Sequence, residues 1–170
     1  DGQSFTWVSE RDGWRHVYLA DARSGAEPRL LTPGEFDVID LLHVDETSGS
    51  ILFLASPQNA TQCYLYRAPL AGGEAERLTP EGQSGWHHYS ISSDGRFAIH
   101  AYSSFDQPPI TDLVKLPSHE RVRMLEENKK LRDRVEKLAR TPVEFLRVSV
   151  EEGVELDGWC IKPPNFDEAR

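Results

Sequence analysis

Acyl transfer by serine needs a nucleophile, a base and an orienting acid in contact. The serine commonly stands on a strained Gly-x-Ser-x-Gly turn between a strand and a helix. The nearest approach in this 170-residue chain is Gly82-Gln83-Ser84-Gly85. Its second glycine follows the serine directly, and no helical pattern comes after it. The segment reads as a turn, and no catalytic residue is assigned.

Paired carboxylates are the next source of chemistry. Glu126-Glu127 opens a helical stretch and Glu151-Glu152 flanks a turn. Both read as solvated surface, so no substrate-binding residue is assigned. Of the six histidines, His87 and His88 are adjacent and point to opposite faces of a strand. No His pair stands at i, i+4, and no metal ligand is assigned. His16, beside Arg15, reads as a structural hydrogen-bonding group. Phosphate-loop and calcium-loop patterns are absent, and no cofactor is implied. Cys63 and Cys160 fit no zinc or redox spacing; they are two separate thiols or a disulfide. Asn59-Ala60-Thr61 is a glycosylation sequon, which matters only in a secreted eukaryotic protein.

The elements that carry these residues repeat. Leu31-Thr32-Pro33 recurs as Leu78-Thr79-Pro80, an interval of 47 residues, and Leu125 falls at the next interval. Gly2, Gly49 and Gly95 precede three apolar stretches that end at Ser9, Ser56 and Ser103. Period-two alternation is visible in Phe5 and Trp7, in Leu52 and Leu54, and in Phe97, Ile99 and Ala101. It marks strands with one buried face. Second strands are expected at 14–20, 62–68 and 112–116. Short third strands follow at 28–31, 75–78 and 122–125. Runs at 38–44 and 87–92 lead into the next unit. Trp7 and Trp14 are expected to pack between units, and 105–109 reads as an exposed loop facing another domain or subunit.

Four short antiparallel strands in about 40 to 50 residues is the period of a β-propeller blade; a β-sandwich is the alternative. The expected fold is all-β: about three four-stranded blades over 1–126. Propellers close with about four to eight blades, so these read as part of a larger ring. Asp1-Gly2-Gln3 reads as the middle of a hairpin, with more chain expected upstream. After Leu125, residues 126–138 turn helical in composition, with Leu131, Val135 and Leu138 on one face. A solvated connector helix is expected over 127–141. Thr141-Pro142 stops it, and a hairpin of Val143–Val150 and Val154–Ile161 opens a different domain over 142–170.

Hydrophobic residues make up 38% and charged residues 28%, a globular balance. The net charge of −9 argues against nucleic acid and anionic membrane surfaces. No apolar run approaches the ~20 residues of a membrane span.

The residues Ser9-Glu10-Arg11-Asp12-Gly13-Trp14-Arg15-His16-Val17-Tyr18-Leu19, followed by Leu31-Thr32-Pro33-Gly34 to Val38, resemble a blade motif of one family. That family is the dipeptidyl-peptidase IV branch of the prolyl oligopeptidase (S9) superfamily. Leu52–Ser56 with Leu65-Tyr66-Arg67, and Leu78-Thr79 to His88-Tyr89-Ser90, are similar to its next blades. Leu156-Asp157-Gly158-Trp159 to Asp167 is similar to its hairpin into an α/β-hydrolase domain. The resemblance implies the gating and scaffolding propeller part of a serine exopeptidase. Such an enzyme releases N-terminal dipeptides with proline or alanine second, through an acyl-enzyme. It implies a peptide substrate, the chain's own hydrolase domain and a homodimer as partners, and an extracytoplasmic location. The family's triad lies after this chain's end and its glutamate pair before its start, so the chain alone is expected to be inactive. A non-catalytic propeller binding module and a catalytically dead family member are the other readings.

Overall fold

The computed structural model describes residues 2–138 and 141–167. In order they form β1 (Ser4–Ser9), β2 (His16–Asp21), β3 (Arg29–Leu30), β4 (Val38–Asp45), β5 (Ser50–Ala55), β6 (Tyr64–Pro69), β7 (Glu76–Arg77), β8 (Trp86–Ile91), β9 (Phe97–Ser103), β10 (Ile110–Lys115), β11 (Glu120–Glu126), α1 (Lys129–Val135), β12 (Val143–Glu151) and β13 (Val154–Ile161). They assemble as antiparallel meanders: β1-β2-β3, β4-β5-β6-β7, β8-β9-β10-β11, and the separate hairpin β12-β13. The expected blades are present, although the first sheet has three strands among the described residues.

The middle sheet is covered on both faces. Along β5, Ile51, Phe53 and Ala55 pack toward the first sheet with Val17, Leu31 and Val38. The intervening Leu52 and Leu54 pack toward the third with Ala98, Val114 and Leu116. A strand whose successive side chains leave in opposite directions needs an apolar residue at every position when both sides are buried.

The repeated Leu-Thr-Pro has a physical reason. Strands β3 and β7 are two residues long, so their ladders to β2 and β6 soon run out. Leu31 N–H and Leu78 N–H still donate to the Val17 and Leu65 carbonyls. The following threonine then accepts the next donor. Val17 N–H donates to Thr32 Oγ1 at 3.0 Å and Leu65 N–H to Thr79 Oγ1 at 2.8 Å. Both threonines are buried. Proline then carries the chain out of the sheet, since it has no N–H to pair. In the third unit β11 runs seven residues and needs no such device.

Gly49 and Gly95 share one left-handed conformation, with φ of 65° and 68°, in the turns β4–β5 and β8–β9. The sheets are also stapled edge to edge. Val38 N–H donates to the Arg15 carbonyl, Cys63 N–H to the Gly85 carbonyl, and His87 N–H to the Cys63 carbonyl.

Two expectations change. The helix spans only Lys129–Val135, and its start is set by Asn128, which turns left-handed at φ 52°. Asn128 N–H donates to Glu126 Oε1 and its amide to the Pro109 carbonyl, which fixes that corner. Residues 139 and 140 of the expected helix lie outside the described residues. Trp7 and Trp14 are exposed, at 47% and 39%. Trp7 alternates with Val8, which faces the second sheet, and Trp14 sits in the turn before β2. The cysteines follow the reading of two separate thiols: Cys63 and Cys160 are free.

Thr32→Val and Thr79→Val each strand a buried backbone donor. Each is expected to lower unfolding stability by about 1–3 kcal/mol in denaturant titrations, with serine restoring most of the loss.

Candidate functional site

Two features stand out at the β9–β10 loop edge of the third sheet: an open cavity and a buried polar chain behind it. The cavity, about 500 Å³, lies between this edge and the β12-β13 hairpin. Trp86, Phe105 and Phe145 give it aromatic walls, and Thr61, Ser84, Ser104 and Asp106 add polar groups. Phe105, in the loop after β9, packs on the hairpin. Its ring lies 5.0 Å from Trp159 and 5.9 Å, edge on, from Phe145. Contacts at such centroid separations are favourable for aromatic pairs. An adjoining space of about 440 Å³ shares Phe105, Asp106 and Val143 and continues to Lys162, Pro163 and Pro164. The 105–109 loop thus faces the hairpin.

The wall nearest the sheet is tightly specified. Tyr102 O–H donates to the Ser84 carbonyl at 3.1 Å. Gly85 has φ 152°, and a Cβ there would lie 2.4 Å from the Ser103 carbonyl oxygen. Only glycine fits.

Behind the wall, His87, Tyr89, His100 and Tyr102 form a block on one face of β8 and β9. The register pairs His87 with Tyr102 and Tyr89 with His100. Each imidazole therefore lies against a phenol ring, with both pairs of centroids 4.6 Å apart. His87 Nε2 meets the Gln83 carbonyl at 3.0 Å. His87 Nδ1 meets His100 Nε2 at 2.8 Å, and His100 Nδ1 meets Asp112 Oδ1 at 2.9 Å. Arg121 Nε donates to Asp112 Oδ2 at 2.8 Å. These bonds link β8, β9, β10 and β11 in series. A branch runs from Tyr89 O–H to Thr79 Oγ1 and to His119 Nε2, both at 2.8 Å.

Burial governs the titration of this block. It lowers His87 to about 4, against the opposing bond to the Gln83 carbonyl. It lowers His119 to about 4, reinforced by His100. Burial also pulls His100 down, with Asp112 pulling it up. It raises Tyr89, and it raises the Cys63 thiol to about 11, so that sulfur stays protonated.

The residues weighed for chemistry fall as follows. Ser84 lines the cavity, but His87 spends its nitrogens on the Gln83 carbonyl and on His100. Glu126 caps Asn128, Glu127 pairs with Lys129 and Arg132, and Glu151-Glu152 are exposed at the hairpin turn. His88 is exposed on the face opposite His87. His16 bonds Asp12 Oδ2 at 2.9 Å. In the sequon, Asn59 Oδ1 accepts from Thr61 N–H and O–H. The residues that sequence reasoning passed over are His100, Asp112, Arg121 and His119. The signal was the pair His87/Tyr89 facing His100/Tyr102, readable only once the hairpin register is known.

The unfolded chain takes up protons on His87 and His119 near pH 6.5, whereas the folded chain resists until about 4. Their stabilising contribution is complete above about pH 6.5 and is lost as the pH falls toward 4. Thermal melts by circular dichroism should show Tm falling across that window. A His119→Gln variant should show a shallower fall.

Known proteins match this architecture. The family model for the dipeptidyl peptidase IV (DPP IV) N-terminal region matches residues 1–109. A protein of Emericella nidulans named "Probable dipeptidyl-aminopeptidase B" is 28% identical over 173 residues, covering 100% of this chain and 19% of its own. One of Aspergillus flavus named "Probable dipeptidyl peptidase 4" is 24% identical, covering 94% of this chain and 20% of its own. The crystal structure of Porphyromonas gingivalis dipeptidyl peptidase 4 superimposes with a TM-score of 0.86 and 29% identity. That match covers 100% of this chain and 24% of the other. The chain spans about a fifth of the length of the curated relatives it matches.

Proposed function

The chain belongs to the dipeptidyl peptidase IV family, and from that premise we propose that it is the propeller and domain-junction part of a serine exopeptidase. The enzyme releases N-terminal dipeptides, with proline or alanine at the second position, through an acyl-enzyme. The supporting observation is that the likeness to a dipeptidyl peptidase 4 runs over the whole chain, through the hairpin as well as the sheets.

In this reading the division of labour follows from the residues present. The three stapled sheets form a rigid wall that restricts access to small peptides. The boundaries are sheets over 1–126, a connector over 127–141 and the start of the hydrolase over 142–170. Phe105 on Trp159 and Phe145 fixes the wall against the hairpin. The hairpin's other face exposes Leu146, Val148 and Leu156, the surface on which the rest of a hydrolase domain would pack. The acylated serine, its base and its acid come from outside this chain. The intact enzyme works outside the cytoplasm, as a homodimer.

The 170-residue chain alone should hydrolyse no Gly-Pro or Ala-Pro chromogenic substrate, while the intact parent should turn both over. Turnover by the purified chain, or an inert parent, counts against the reading. In the intact enzyme Phe105→Ala should lower stability by roughly 1–3 kcal/mol, through lost burial and ring contacts. An unchanged melting curve would detach the loop from the domain junction.

A further inference from the structure

The His87–His100–Asp112 chain does not balance if both imidazoles are neutral. Its ends can only accept: the Gln83 carbonyl at one end, the Asp112 carboxylate at the other. Between them lie three contacts of hydrogen-bond length, at 3.0, 2.8 and 2.9 Å. Three bonds need three hydrogens, and two neutral imidazoles carry one N–H each. The geometry of the rings supports a bond at each contact. His87 and His100 are parallel within 2°, with centroids 5.1 Å apart and nitrogens 2.8 Å apart. They meet edge to edge, as an N–H···N bond requires.

We propose that this chain is a binding site for one proton, and that the bound proton pins the cavity wall at Gln83–Trp86. The proton has two bookings: an imidazolium at His100 or a carboxylic acid at Asp112. Each completes all three links with the same net charge. When the proton leaves, two lone pairs face each other at one contact and that link opens. The carboxylate keeps the His100 Nδ1–H, so the link that opens lies on the His87 side, which ends at the Gln83 carbonyl; the next residues, Ser84, Gly85 and Trp86, line the cavity. The inference rests on hydrogen-bond geometry and stands whether or not the peptidase reading holds.

The charged and titratable neighbours act in both directions. Burial opposes a charged imidazole, but Asp112 is itself 3% exposed, so the proton neutralises a buried carboxylate. The proton is shared through the His100–Asp112 bond and belongs to neither residue alone. Tyr89 and Tyr102 lie against His100 and His87 and offer ring faces that favour a cation. Arg121 on Asp112 works against the proton, as do Arg77 and His119 nearby; the Arg121 side chain is half-exposed and solvent-screened. Cys63, from the second sheet, stays neutral, its thiol pushed up by burial.

Asp112→Asn separates the possibilities. An asparagine amide donates to His100 Nδ1, so all three links close with neutral rings and no extra proton. Its oxygen still accepts from Arg121. In the intact wild-type protein, Tm should fall as pH rises from 6.5 to 9, because the folded chain holds a proton that the unfolded chain has released. In Asp112→Asn that alkaline fall should flatten. Amide exchange of the peptide carrying Gln83–Trp86, corrected for the intrinsic pH effect, should rise between pH 7 and 9 in wild type only. Parallel curves for the two proteins overturn the proposal. If the variant does not fold, neutron diffraction of the wild type at pH 7 decides. Three deuterons along the chain support the site, and two overturn it.

Discussion

Burial of the middle sheet on both faces is the constraint from which the rest of the structure follows. Every residue of β5 from Ile51 to Ala55 must be apolar, since each side has a neighbouring sheet. The neighbours can cover it only if their own strands are short, flat on one side and quickly returned. The turns at Gly49 and Gly95 return the chain tightly, and in the first two sheets the outer strand releases it after two residues. A threonine hydroxyl then does what a third ladder residue would have done. The side chain replaces backbone pairing where backbone pairing must stop.

The two inter-sheet contacts differ in chemistry. Between the first and second sheets the contact is apolar, built on Val17, Leu31, Phe53 and Tyr66. Between the second and third it is divided. Ala98, Val114 and Leu116 fill one part, while His87, Tyr89, His100 and Asp112 occupy the other. A fully bonded polar network in a low dielectric fixes geometry more sharply than apolar packing does, and an incomplete one is costly. The third sheet carries this network behind the cavity that it forms with the hairpin. Phe105 reaches across that junction from the loop between two of the networked strands.

The repeat, the turn positions and most strand bounds were legible because they rest on local chemistry: period-two alternation, glycine turns and Leu-Thr-Pro. The hairpin bounds Val154–Ile161 came out as read. What failed was non-local. The helix starts two residues late because Asn128 turns left-handed, with its amide held by the Pro109 carbonyl from a distant loop. Trp7 was assigned to the wrong environment because alternation gives two faces but does not say which one has a neighbour. The polar chain was invisible for the same reason. His87, His100 and Asp112 are 13 and 12 residues apart, a spacing with no motif, and only cross-strand register brings them together.

Placing bonds in series has a consequence for how this edge can respond. Bonds in parallel share a load, so losing one leaves the rest. Here the Gln83 carbonyl is held through His87, His87 through His100, and His100 through Asp112, which Arg121 ties to the outermost strand. Opening any link parts the Gln83 carbonyl from the buried carboxylate, while the bonds from Tyr102 O–H to the Ser84 carbonyl and from Cys63 N–H to the Gly85 carbonyl still hold the residues after it. The backbone ladders of β8 to β11 remain, so the sheet persists from Trp86 onward while the Gln83 carbonyl is released. Gly85 sharpens the effect, because its close approach to the Ser103 carbonyl leaves the corner no alternative packing on that side. A single proton can therefore act on the cavity wall without unfolding the blade, since the element it controls is a corner and not a strand.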